Sequence, residues 1–387
     1  MKNSYLVIVS CLVSIFLLYT LVFIYTFFNF NNEFKYTFKS LENLNFHEKY
    51  SKKLHHIREE RDLNTLFKRP KVEDLLFTTI TNPEEKEVIV LFQGDSWMEH
   101  LTFPVDDNFI SVELVQKFKS NKKIAFINGG TGSYSPSIMN LQLDVLEHDF
   151  KIFPNIIIAY IDQTDIGDEN CRYKNNKVYK DGVLKSIQPE AHLMYRDLFN
   201  YSQIYGISKI FLKDNSKISK TFQLINFKFK YGITKSSIRF YRKYISNSKL
   251  NKSKLIKCYG GEIANYLINP NDADIKYFAD SIREYLKKIE QKKHVKKVFL
   301  VTAPHKNHFD KDSDQKTSFK LNVSDVVNGV LKDKKNITHI DFSKILLNDK
   351  NFDYKNIWHV DNMHFNTNTH GKLFIQTILD ELSKYLL

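Results

Sequence analysis

Four short segments carry side chains that together could do acyl chemistry. In the first, Phe92-Gln93-Gly94-Asp95-Ser96, a hydroxyl follows directly on an apolar run. A serine at the carboxyl end of a parallel strand stands at the ligand-binding edge of its sheet, where a nearby base can make it a nucleophile. Alone, Gly-Asp-Ser is equally a turn with a helix cap, since Asp and Ser both cap well. The second segment is Trp358-His359-Val360-Asp361-Asn362-Met363-His364-Phe365-Asn366. Asp361 and His364 stand three apart, so the carboxylate can hold the imidazole tautomer and leave Nε2 as a general base. The third, Asn128-Gly129-Gly130-Thr131-Gly132-Ser133-Tyr134-Ser135, is a glycine-rich turn able to bring a backbone N–H to a developing oxyanion. Asp162-Gln163-Thr164-Asp165, the fourth, adds a hydroxyl between carboxylates.

Such residues converge only if a fold aligns the segments. Unalternated β-branched runs at 87–92, 123–128, 155–161, 296–303 and 338–342 fit strands buried on both faces, and the helical patterns between them fit crossovers. We therefore expect a parallel sheet covered by helices, with helices at 111–119, 136–149, 273–291 and 369–386. In the last of these, Ile375, Ile378, Leu382 and Tyr385 should share the buried face. The loops that follow parallel strands open on one edge, so all four segments meet there.

Composition narrows the class. With 42% hydrophobic residues over 387 positions the chain can bury a large core, which excludes a disordered chain. Three cysteines, Cys11, Cys171 and Cys258, exclude a cysteine-rich zinc module and leave a Cys171–Cys258 disulfide open in an oxidising compartment. His305 and His308 follow the fourth strand without an acidic or thiol partner at a metal spacing, and His55, His56 and His100 read as surface residues. No metal or other cofactor is expected.

The chain divides into an anchor at 1–30, a membrane-proximal stalk at 31–85 and a catalytic domain at 86–387. Tyr5–Phe28 has no charge over 24 positions, enough to span the ~30 Å hydrocarbon core as a helix and longer than the apolar run of a cleaved signal peptide. Lys2 on one side and Lys35 and Lys39 on the other leave orientation undecided by charge. An insertion at about 170–270 interrupts the domain. Between Ile207 and Lys257 it carries 14 Lys and Arg against one acid, Asp214, while the whole chain is +13. That segment suits an anionic lipid or polymer, or is simply a solvated face. Nucleic acid is not expected, because no nucleic-acid module accompanies the charge.

From Gly94 to Gly371 the order of these blocks resembles the SGNH or GDSL-type serine hydrolases. The resemblance implies a flavodoxin-like three-layer α/β fold and a triad of Ser96, Asp361 and His364. It implies an oxyanion hole of the Ser96 and Gly132 amides, with Gly130 as the alternative glycine. The family's block-three asparagine falls on Thr164, a departure that leaves a hydroxyl as the third donor; Asp168-Glu169 follow it as in variants of the superfamily. Also implied is a serine esterase or O-acyltransferase, acting on an acylated envelope glycan from the extracytoplasmic face. A catalytically silent glycan-binding scaffold and a membrane-associated lipase are the rival readings.

Overall fold

The computed structural model describes residues 2–29, 40–58, 71–81, 87–100, 118, 123–189, 197–213, 216–240, 266, 268, 270–305, 308, 321–332, 334, 336–350 and 371–386. Of the expected helix at 111–119 only Phe118 is in this set, and Cys258, Asp361 and His364 lie outside it.

The chain forms two compact units. The larger, 49–193 with 257–387, holds a six-stranded sheet. Its strands are β1 (Thr78–Thr79), β2 (Val88–Gln93), β3 (Ile124–Asn128), β4 (Ile156–Ile161), β7 (Lys297–Thr302) and β8 (Ile337–Asp341), in the order β1-β3-β2-β4-β7-β8. All pair in parallel except β1, which runs antiparallel to β3. The five strands expected from sequence are the five parallel ones. Every residue of β3 and β4 is buried, which is why these runs lack the alternation of a one-faced strand.

Helices cover both faces. Ser96–His100 (α3), Pro136–Phe150 (α4), Asp272–Glu290 (α8), Val323–Leu331 (α9), Phe342–Asn348 (α10) and Lys372–Leu386 (α11) pack around the sheet, preceded in the chain by Lys2–Phe28 (α1) and Leu41–Leu54 (α2). Pro136 starts α4 at a position where its missing N–H costs nothing, and Asn271 caps α8 by accepting from the Asp274 amide at 2.9 Å. On α11 the buried residues are Phe374, Ile378, Leu379 and Leu382. Tyr385, expected on that face, is 45% exposed, because the stripe turns toward 374 and 379 instead.

Part of the stretch expected as a stalk at 31–85 belongs with the sheet. Residues 51–58 and 71–81 belong to the sheet unit: Leu54, Ile57, Leu75, Leu76 and Phe77 are buried, and β1 extends the sheet. The insertion is likewise divided. A short helix, Asp165–Gly167 (α5), runs into a π-helical turn, Asp168–Tyr173, and a hairpin follows, β5 (Lys177–Lys180) with β6 (Val183–Ile187), all in the sheet unit.

The smaller unit, 1–48 with 194–256, contains α1, the start of α2, Asp197–Lys213 (α6) and Lys217–Phe240 (α7). Ile207 and Phe211 of α6 pack on Leu224 and Phe227 of α7. Gly206 permits the close approach, since a Cβ there would lie 2.2 Å from the Phe227 ring. His47 bonds to Tyr205, and Glu48 pairs with Lys209 at 3.1 Å.

Candidate active site

Ser96 is the first residue of α3 and follows β2 at the middle of the sheet. The strand order reverses at β2, which has β3 on one side and β4 on the other, and in open α/β sheets ligands bind at this switch point beyond the carboxyl ends of the strands. The turn into α3 needs glycine. Gly94 has φ +151°, and a Cβ there would sit 2.9 Å from both Met98 Cγ and Tyr160 Cβ. Asp95 does the capping: its Oδ1 accepts from the Trp97 amide at 2.9 Å, and its carbonyl accepts from the Glu99 amide. The tripeptide thus does form the capped turn that its residue types allow, with Asp95 as the cap.

The glycine loop after β3 comes alongside. A Cβ built on Gly132 would lie 4.0 Å from Ser96 Cβ, so the Gly132 backbone borders the serine. Gly130, the alternative oxyanion glycine, serves the packing of the loop instead. A Cβ there would meet the Glu99 amide at 2.3 Å, and its own N–H donates to Asn128 Oδ1. It is the point where loop and α3 touch backbone to backbone.

What holds this loop comes largely from elsewhere. The buried Arg58 guanidinium donates to the carbonyls of Asn128 and Gly130, to the Asp74 carbonyl and to Thr78 Oγ1. His56 Nε2 donates to the Gly132 carbonyl at 2.7 Å, and Tyr134 Oη donates back to the His56 carbonyl at 2.9 Å. His55 is 2% exposed and His56 half-buried, which corrects their reading as surface residues: His56 borders the glycine loop, and His55 packs on His56 and Tyr173. A relay runs from Tyr285 Oη to Gln93, on to Gln142 and then to the Gly129 carbonyl, each link at 2.7–2.8 Å. Burial and then His56 and Arg172 hold His55 well below the usual imidazole range, so it stays neutral.

Two expected oxyanion donors are already engaged. The Gly132 amide donates to Glu99 Oε2 at 2.7 Å, and Glu99 faces Arg58 at 3.7 Å. Thr164 Oγ1 donates to Asp162 Oδ1 at 2.7 Å, within a turn whose Thr164 and Asp165 amides converge on the same oxygen. Thr164 thus closes its own loop, as short polar side chains beside a turn tend to do.

Acidic groups cluster beneath Ser96. Among the described residues, Asp95, Asp162 and Asp165 are close enough to hold a cation, with one oxygen from each within 4.8 Å of the others. Burial first, and then Asp162, pushes Asp95 and Asp165 well above the usual carboxylate range. Asp168 is raised to about 7 by burial, opposed by Arg172. Glu169 goes the other way. Its burial would raise it, but Lys177 and bonds from Ser135 and Ser137 hold it below the usual range, at a Lys177 Nζ distance of 3.0 Å. His308 Nε2 is engaged with the Leu321 carbonyl and Nδ1 with backbone of His305.

Asp361 and His364 lie outside the described residues, but the helix that follows them does not. Phe374, in the first turn of α11, packs on Trp97 and Tyr160 with ring centroids 6.2 and 5.7 Å away. That is the residue next to Ser96 and the strand next to β2.

Several solved esterase and acylhydrolase structures are similar to the chain. One solved structure, an acetyl-xylooligosaccharide esterase from Geobacillus, is 13% identical, with a TM-score of 0.37 over 78% of this chain and 96% of that one. A lipase/acylhydrolase from Enterococcus faecalis is 10% identical, with a TM-score of 0.34 over 75% of this chain and 95% of that one. A third, an alpha/beta hydrolase from the metagenome of Lake Arreo, is 10% identical, covering 76% and 93% at a TM-score of 0.34. No family model and no curated protein matches the sequence. Arg58, His56 and Glu99 are the residues whose place in the site sequence reasoning missed; Arg58 and His56 lie in a charged stretch whose pattern gives no hint of a buried role.

Proposed function

We propose that this protein is a membrane-anchored serine esterase or acyl transferase that acts on an acylated glycan of the cell envelope. The observation that carries the reading is Ser96 at the switch point, first in its helix, capped by Asp95 and bordered by Gly132. In this mechanism Ser96 Oγ attacks an ester carbonyl, His364 Nε2 takes its proton, and Asp361 stabilises the imidazolium. Phe374, ten positions after His364, packs on Trp97 beside Ser96, which supports this triad. The tetrahedral oxyanion takes the Ser96 and Gly132 amides. Since Glu99 occupies the latter, the substrate oxygen replaces its carboxylate there. Thr164 acts as the third donor only if it gives up Asp162. Collapse of the intermediate breaks the ester C–O bond, the leaving alcohol takes the proton back from His364, and the acyl-enzyme is then resolved by water or by a sugar hydroxyl.

Tyr5–Phe28 is 24 residues long with an 18-residue stretch of mean hydropathy 2.8, long and apolar enough to cross a bilayer, and serves as the anchor in this reading. Cys171 is disulfide-bonded, which fits an extracytoplasmic domain.

The test is a substrate panel with full-length protein: acetylated oligosaccharide, p-nitrophenyl acetate and a long-chain p-nitrophenyl ester, each with and without a sugar acceptor. Release of acetate from the first two, with little from the third, is the expected result, and acetylated acceptor marks a transferase. Preference for the long chain converts the reading to a lipase. The engagement of Gly132 and Thr164 favours a second reading, a catalytically silent glycan-binding scaffold; glycan binding without turnover would establish it.

A further inference from the structure

We propose that α7 is an interfacial helix, bedded in the headgroup layer of an anionic bilayer where α1 leaves it. The inference rests on reading α1 as the membrane span.

One face of α7 has its partner already. Leu224 and Phe227 pack on α6, and Thr221 is fully buried. A second apolar stripe, Ile218, Phe222, Ile225 and Phe229, recurs at helical spacing around the other side. Ile218 and Phe229 face outward, 57% and 70% exposed, and Phe222, which also touches α1, is still 43% exposed. A water-soluble helix with one packed face has no need of a second stripe of this kind. Between Lys217 and Phe240 six basic residues and no acid complete the pattern, and Lys228 and Lys230 flank Phe229. An apolar stripe edged by lysines suits a bilayer surface with anionic lipid.

The junction with α1 sets the depth. Phe222 packs against Tyr19 and Phe23 with ring centroids 6.3 and 4.6 Å away, and Lys217 Nζ stands 4.2 Å over the Phe27 ring. On α1 the shielded residues are Thr20, Phe23, Thr26 and Phe27, whereas Tyr5 to Tyr19 are exposed. The shielded stretch covers about two turns, ~11 Å, which matches the diameter of one crossing helix. The exposed stretch of Tyr5 to Tyr19 is about 22 Å long at 1.5 Å per residue. A helix bedded ~5–10 Å deep at its end brings the total to ~27–32 Å, the thickness of the hydrocarbon core. The lysines beside the stripe of α7 thus fall at the headgroups, and Phe222 and Phe229 fall just below them.

The test uses the full chain in vesicles of phosphatidylcholine and phosphatidylglycerol, three to one, with acyl chains brominated near the headgroup or near the chain end. Tryptophan emission of Leu12→Trp and Phe229→Trp is read as the difference from the parent protein. The Phe229→Trp signal should lose roughly half its intensity to the shallow bromines and less to the deep ones, and Leu12→Trp the reverse. Adding Lys217→Gln, Lys220→Gln, Lys228→Gln and Lys230→Gln should reduce the Phe229→Trp quenching while leaving that of Leu12→Trp unchanged. Quenching of Leu12→Trp with none of Phe229→Trp would overturn the proposal and leave the anchor intact. If neither is quenched, the anchor reading falls and the proposal with it.

Discussion

The two loops that flank Ser96 are held in opposite ways. The glycine loop after β3 is fixed by its carbonyls, which take donors from Arg58, Gln142 and His56. The loop after β4 is fixed by its amides, which converge on the Asp162 carboxylate from Thr164 and Asp165, while Asp165 Oδ2 accepts from the Asp162 amide. Tying down carbonyls turns a loop's N–H groups outward, and the Gly132 amide indeed points to an anion, Glu99. Tying down amides does the reverse and leaves carboxyls facing one another. One flank therefore offers a donor beside the serine, and the other supplies a buried acidic floor.

Removing the cation from the first flank should have the largest effect. Arg58→Met strips donors from three carbonyls; at ~1–3 kcal/mol for each buried acceptor left unpaired, the loss of stability is on the order of 5 kcal/mol. Urea unfolding would measure it, and turnover should fall with the loop. A loss under about 1 kcal/mol would mean that the carbonyls are held by something else. On the second flank, Glu169→Gln leaves Lys177, 3% exposed at its side chain, as a buried charge without its partner, and should cost about 3 kcal/mol or more in the same assay.

A smaller effect tests the acidic floor by pH. Asp168 is raised from 3.8 to about 7, so the folded state binds a proton that the unfolded chain has released over that interval. Its favourable contribution is complete below the unfolded value and is lost as pH rises through about 7. Wild type should thus lose thermal stability between pH 5 and pH 8, and Asp168→Asn should flatten that decline. An unchanged slope in the variant would remove Asp168 from the account. Smallest of all, Thr164→Val should change ester turnover by less than about tenfold, because the hydroxyl already donates to Asp162; the loss of ~3 kcal/mol typical of an oxyanion donor would restore Thr164 to that role.

The same contrast explains what was legible in the sequence. Apolar runs without alternation identify all five parallel strands, since burial on both faces leaves that mark. The Asp162–Asp165 turn is closed within four residues, so its chemistry can be read locally. Arg58 acts on Gly130 from 72 positions away and sits in a lysine- and glutamate-rich stretch that looks like solvated surface. Its role exists only because Leu54 and Ile57 bury that stretch against the sheet unit. Glu99 is similar: its spacing from Ser96 is plain, but its bond to Gly132 depends on how closely Gly130 lets the loop approach α3.

The central claim is that Ser96 is a nucleophile, and fluorophosphonate labelling of the full-length protein tests it most directly. With mass-spectrometric mapping, the account predicts one adduct per chain, on the peptide carrying Ser96, absent from Ser96→Ala and from His364→Ala. A folded wild type that takes no label, or an adduct that persists in Ser96→Ala, would contradict it.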